Sequence, residues 1–254
     1  MKKTLNSAFS LVELSIVIII IGLLFVGVSG GSKLIESAKI SRLMSEIRSI
    51  DNAIVAFNQA YDALPGDFDS AQSLFGTSGV NNGDGDGFVE TITGTNIADA
   101  LGDEVSNVFV HLQNGEFIDG TYNAQIDQLS FMKEMAFSAY AIYSNTFSQN
   151  TSGQSFDSNY YSSNFTGNNH IVIGSVKITS TNRNFNYIEG AFLTNGQALS
   201  IDKKYDDGAM NSGNISVKNT SSKYWRGIDG DLSDCTYDVT ITGNKCNLII
   251  KTTF

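Results

Sequence analysis

The chain has one proline, Pro65, in 254 residues. Proline is the residue that most sharply breaks a helix, so nothing of that kind interrupts the first 64 positions. No Lys or Arg lies between Lys3 and Lys33. There are two histidines, His111 and His170, far apart in sequence. No H-E-x-x-H pair, G-x-S-x-G elbow or phosphate-binding glycine loop occurs, so no catalytic set is visible and the chain does not read as an enzyme. A histidine without such company is more often a surface or core-edge residue than a base. Cations are few: 16 Lys and Arg stand against 26 Asp and Glu, for a net charge of −10. An acidic surface repels phosphate backbones, so no nucleic-acid partner is expected.

There are two cysteines, Cys235 and Cys246. In an exported chain, a pair closing so short a loop reads as a disulfide; two free buried thiols are the alternative. Export is suggested by the N-terminus, where Lys2 and Lys3 precede a long apolar run. An ordinary signal peptide would be cut after that run, near Ser29-Gly30-Gly31. Two features oppose that reading. The run does not end in a loop, and an acid, Glu13, stands at its head. A carboxylate at membrane depth costs a few kcal/mol or more and marks a functional candidate that needs a partner. With no Lys or Arg nearby, its own helix supplies no cation. A free α-amino group on a staggered neighbouring chain would serve.

The run from Ala8, A-F-S-L-V-E-L-S-I-V-I-I-I-I-G-L-L, closely resembles the N-terminus of type IV prepilins and type II secretion pseudopilins. The resemblance implies a leader of residues 1–8, cut between Ala8 and Phe9 by a prepilin peptidase and methyltransferase. Phe9 becomes the N-methylated first residue and Glu13 the fifth. Glu13 would then pair with the Phe9 amine of the next subunit and set the axial register, each charge offsetting the burial cost of the other. Two departures stand out. Ala8 replaces the usual Gly, and Gly30 stands where many pilins carry a helix-kinking Pro. Gly27, Gly30 and Gly31 form a soft spot instead. The implied function is a structural subunit of a pilus-like or pseudopilus filament. Its partners would be other pilin or pseudopilin subunits, the peptidase, the bacterial inner membrane and an assembly platform. It would lie in the inner membrane as a single-pass protein first, then in a periplasmic or cell-surface filament. The alternative is a filament-tip adhesin or substrate-binding minor pilin, motivated by a Ser/Asn-rich stretch and Trp225.

The apolar residues of 9–30 approach a membrane span and would form the filament core. Beyond Lys33 the pattern becomes amphipathic: Leu43, Ile47, Ile50, Ile54, Phe57 and Tyr61 recur at helical spacing. One helix over residues 10–61 is expected, the whole segment 9–61 preceding a globular head of residues 62–254. Leu64-Pro65-Gly66-Asp67 ends it. Within the head, residues 97–113 and 126–143 read as helices. Residues 144–169 contain 13 Ser and Asn and read as an exposed loop. Strands are expected over 170–179, 187–193, 215–218 and 247–253, and a short helix over 194–204. The fold class is α+β, a long N-terminal helix packed on an antiparallel sheet, as the resemblance also implies.

The sharpest local motif of the head is Asn81-Asn82-Gly83-Asp84-Gly85-Asp86-Gly87. Alternating oxygens followed by glycine match the opening of a calcium loop, although Thr93 stands where the closing Glu should be. Asn82, Asp84, Asp86 and Glu90 are the candidate calcium ligands; a glycine-rich turn without metal is the alternative. No other cofactor is expected. Asp206 and Asp207 read as helix-end and turn residues. Pro65-Gly66-Asp67, the NGDG segment, the run from His111 to Gly120 and the Asp202 to Gly208 segment together resemble a pilin-like subgroup, in which they look structural.

Overall fold

The computed structural model describes residues 10–89, 104–124, 133–144, 169–175, 191–210, 212–218 and 235–252. The chain divides into two compact units, Met1–Arg42 and Leu43–Phe254. Helix α1, Leu11–Tyr61, contributes to both. It is helical through residues 27–31, so the glycine soft spot does not break it.

In the first unit the described apolar side chains from Leu11 to Val26, with Leu34 and Ile35, are exposed, while Ile40 near its end is buried. Leu11, Ile16, Ile19, Leu23, Phe25 and Leu34 are each at least half exposed. A helix apolar on all sides is built for a nonpolar environment. This one is long and apolar enough to cross a membrane.

In the second unit α1 is one-sided, as its spacing predicts. Leu43, Ile50, Ile54 and Phe57 are fully buried and Ile47 nearly so. Each such side chain contributes on the order of 2 kcal/mol of transfer free energy. The helix lies against a five-stranded antiparallel sheet. Its strands are β1 (Lys133–Met135), β2 (Ala139–Ser144), β3 (His170–Gly174), β4 (Ile215–Lys218) and β5 (Asn247–Lys251), in spatial order β1-β2-β3-β5-β4. Ile171 pairs with Ile250 and Ile173 with Leu248, setting the register of the two central strands. All of β3 is buried, which explains its unbroken apolar run. The two edge strands are short, which limits unwanted pairing. The fold is α+β.

The other helices are α2 (Ala71–Phe75), α3 (Glu104–Asn114) and α4 (Asn195–Tyr205). Thr194 and Gln197 start α4 with a reciprocal capping box. Arg48 of α1 sits 5.4 Å from the ring centre of Tyr205 at the end of α4.

The expected helix over 126–143 is not formed where the chain is described. Residues 133–144 are a hairpin, β1 and β2, with Met135 opposite Ala139. Its three-residue connection puts Phe137 at φ 66°, in the left-handed region. Glu46 of α1 accepts the Ala136 N–H at 2.8 Å and holds the turn. The Met135 and Ala139 spacing that suggested a helix face serves a strand equally well over so few residues. Pairing with the apolar β3 decided between them. Of the 170–179 strand, β3 covers His170–Gly174 and positions 176–179 lie outside the described residues, and the 97–113 helix is described only from Glu104. Leu193 forms a lone bridge with Cys246; positions 187–190, and all but the ends of 144–169, lie outside the described residues.

Candidate functional site

Ala8 and Phe9 lie outside the described residues, as do Glu90 and Trp225. Glu13 stands exposed in the first turn of α1. One of its carboxylate oxygens accepts the Ser10 backbone N–H at 2.8 Å, and Ser10 Oγ accepts the Val12 N–H at 3.3 Å. Ser10 and Glu13 thus stand at the ends of an S-x-x-E sequence in which the Glu13 half of a capping box forms, while Ser10 Oγ takes the Val12 N–H rather than that of Glu13. This local partner was readable in the sequence and is missed when only charged partners are sought.

The acidic loop is more changed from expectation. Asp84 and Asp86 come together, with one oxygen of each within 4.8 Å of one another and of Asp67. Asn82 points elsewhere, accepting the Gln72 N–H at the start of α2 at 2.8 Å. Asp67, expected only as part of a helix stop, is the buried centre of the loop. It accepts the N–H groups of Gly85 at 2.7 Å, Asp86 at 3.1 Å and Gly87 at 2.9 Å. Gly83 approaches so closely that a Cβ there would collide with the Asp67 main chain. Burial pushes the Asp67 carboxyl above its ordinary range; the N–H groups of Gly87 and Gly85 oppose this, and the charges of Asp86 and Asp84 add to it. Three hard carboxylates suit calcium or magnesium rather than a soft metal. The three backbone donors already do part of a cation's work on Asp67.

His111 is neither a surface nor a core-edge residue. It is fully buried, stacked on Phe57 with ring centres 6.3 Å apart. Its Nδ1 accepts the Gly66 N–H at 2.9 Å, which leaves Nε2 to donate to the Asn81 carbonyl at 2.8 Å. Burial lowers its pKa to about 4, against the opposing pull of the Asn81 carbonyl. The ring is a neutral strut between the Pro65 turn and the acidic loop. Gly66 must be glycine: its φ is 97°, and a Cβ would meet the Glu104 carbonyl oxygen at 2.7 Å.

Cys235 and Cys246 form a disulfide. Its loop is tied to α4: Tyr237 donates its hydroxyl to the buried Asp202, and Asn195 Nδ2 donates to the Asp238 carbonyl at 3.0 Å. Burial, and then the hydrogen bond to Asp202, pushes the Tyr237 phenol well above its ordinary value. Asp206 accepts the N–H groups of Asn214 and Ile215 at 2.7 Å each, and Asp207 those of Ala209 and the Ser212 hydroxyl. These two acids act as turn residues, as their sequence context suggests.

No protein-family model, curated protein or solved structure matches the chain. What the chain offers on function is therefore its own chemistry: an apolar helix headed by one acid, and a disulfide-closed head whose exposed acidic loop is built around the buried Asp67.

Proposed function

We propose that the chain is a structural subunit of a type IV pilus-like or type II secretion pseudopilus filament, and not an enzyme. The observation that carries this is the run from Ala8 to Leu24, with Glu13 at the fifth place after the cut. Its support in three dimensions is an unbroken helix from Leu11 whose apolar side chains over residues 11–26 are exposed and whose first turn carries a single acid. In this reading residues 9–30 hold the subunit in the inner membrane and later form the filament core. Prepilin peptidase removes residues 1–8 and methylates Phe9. Other subunits stack with a stagger that brings each Glu13 to a neighbour's Phe9 amine. The head, closed by its disulfide, forms the filament surface. Calcium at Asp67, Asp84 and Asp86 is a further part of the proposal, as a brace for the acidic loop.

Expression with a prepilin peptidase and an assembly platform tests this reading. Filaments containing the chain are expected from the wild type. Glu13→Ala should still insert in membranes and be processed, yet give few or no filaments. Wild-type subunits that stay unassembled, or undiminished filaments from Glu13→Ala, would contradict it.

A further inference from the structure

Where α1 rests on the sheet, Met44, Ile47, Arg48 and Asp51 fall at the spacing that puts side chains on one helix face. They form one wall of a cavity of about 150 Å³. Across from them stand Ile171 of β3, Ile215 of β4 and Ile250 of β5, with Tyr205, Asn214 and Lys251. The bottom is aliphatic: Met44, Ile47, Ile171, Ile215 and Ile250 are all buried. The opening is polar: Arg48 and Asn214 are exposed, and Asp51, Tyr205 and Lys251 are partly so. Two cations and one acid line it, the reverse of a chain with 16 Lys and Arg against 26 Asp and Glu. Among the described residues no carboxylate pairs with Arg48 or with the Lys251 ammonium.

We propose that this cavity is a binding site for a short aliphatic monocarboxylate, held by Arg48 and Lys251 at its opening with its tail on the isoleucine floor. Arg48 is placed for this. Its guanidinium carbon lies 5.4 Å from the Tyr205 ring centre, and a guanidinium set over a ring keeps N–H groups at its edge. That edge takes a carboxylate with two parallel bonds. Lys251 is placed by the sheet: its backbone N–H donates to the Asn214 carbonyl at 2.8 Å, which sets the ammonium and the Asn214 amide at the same mouth. The floor decides what else the ligand must be. A phosphate or sulfate over buried isoleucines would lose water without gaining partners, whereas an alkyl tail gains by leaving water. The volume decides the length. It lies below the roughly 300–1,000 Å³ of sites for drug-sized ligands, so a nucleotide or a long fatty acid does not fit. The proposal does not rest on the filament reading, and either can fail alone.

The test is an NMR titration of the full-length chain in detergent micelles with butanoate, at fixed ionic strength. Saturable shifts are expected at the Arg48 side chain and at the Asn214 and Lys251 amides. Acetate should bind roughly ten- to fifteenfold more weakly, the weight of two buried methylenes. Butanamide, equal in size but neutral, should bind at least roughly tenfold more weakly. Arg48→Gln should weaken butanoate by roughly tenfold, and Arg48→Lys, which keeps the charge but not the fork, by severalfold. Arg48 is exposed, so these variants should keep the wild-type amide spectrum away from the cavity. Lys251→Gln gives an independent reading from the opposite wall and should also weaken binding. Butanoate that causes no saturable shift at these residues would overturn the proposal. So would butanamide binding as well as butanoate, which would leave only an apolar hollow. Inorganic phosphate moving the same resonances at equal concentration would overturn it too, as would unchanged binding in both Arg48→Gln and Lys251→Gln.

Discussion

At the residue scale, the head depends on a few buried polar groups whose partners lie far along the chain. His111 is the plainest case. Its pKa of about 4 lies below the ordinary 6.5, so the fold holds the neutral ring. A depressed value means its contribution is complete above the unfolded pKa and is lost as pH falls toward the folded one. The loss between pH 6.5 and 4 is on the order of 3 kcal/mol. Urea midpoints should accordingly fall across that window, and the ring's NMR titration should lie well below 6. A ring titrating near 6.5 would refute the buried strut. Asp67 has the opposite sign, since burial raises its pKa. Its neutral form is favoured in the fold, so its contribution is present below the ordinary carboxylate pKa and fades as pH rises through the raised value. Asp67→Asn offers one acceptor oxygen where two receive the N–H groups of Gly85, Asp86 and Gly87. It should cost about 1–3 kcal/mol in urea unfolding at neutral pH. If calcium occupies the loop, millimolar calcium should raise the Tm of the wild type and leave an Asp84→Asn, Asp86→Asn double variant unmoved. Equal shifts in both would remove the metal from the proposal. None of this centre was legible around Asp67 itself, because its donors come 18 to 20 residues later.

At the element scale, local signals succeeded where local interactions decide. The α1 stripe from Leu43 to Phe57 is buried as its spacing requires, and Thr194 caps α4 next to the expected start. The hairpin at 133–144 failed because its strand character comes from pairing with β3, a nonlocal partner. Helix α3 shows a subtler departure. It ends in a Schellman arrangement, with Phe117 N–H on the Leu112 carbonyl at 2.9 Å and Glu116 N–H on that of Gln113 at 3.0 Å. Glu116 takes the left-handed position, φ 62°, where glycine is the usual choice. Glu116→Gly should stabilise the head by roughly 0.5–1 kcal/mol, seen as a higher Tm. The C-terminal loop carries a matching prediction. Replacing Cys235 and Cys246 together by alanine should cost roughly 2–3 kcal/mol. Tyr237→Phe should cost about 1–3 kcal/mol with the disulfide intact, because Asp202 then loses its hydroxyl donor inside the protein.

At the scale of the whole molecule, two kinds of surface are joined in one chain. Residues 11–26, Leu34 and Ile35 expose their apolar side chains, while the unit from Leu43 onward buries a core of its own, with Leu74, Phe88 and Val239 among the few described apolar residues left outside. That division was legible, since no charged residue lies between Glu13 and Lys33 and charges recur from Lys33 onward. The account's central claim is that the apolar part is a prepilin-type segment, and the most direct test is the mass and N-terminal sequence of the chain. The protein would be purified from bacterial membranes containing a prepilin peptidase. A first residue of Phe9 carrying one added methyl group, about 14 Da, is the predicted result. A start near Gly31, or an intact Met1 in the presence of an active peptidase, would contradict it.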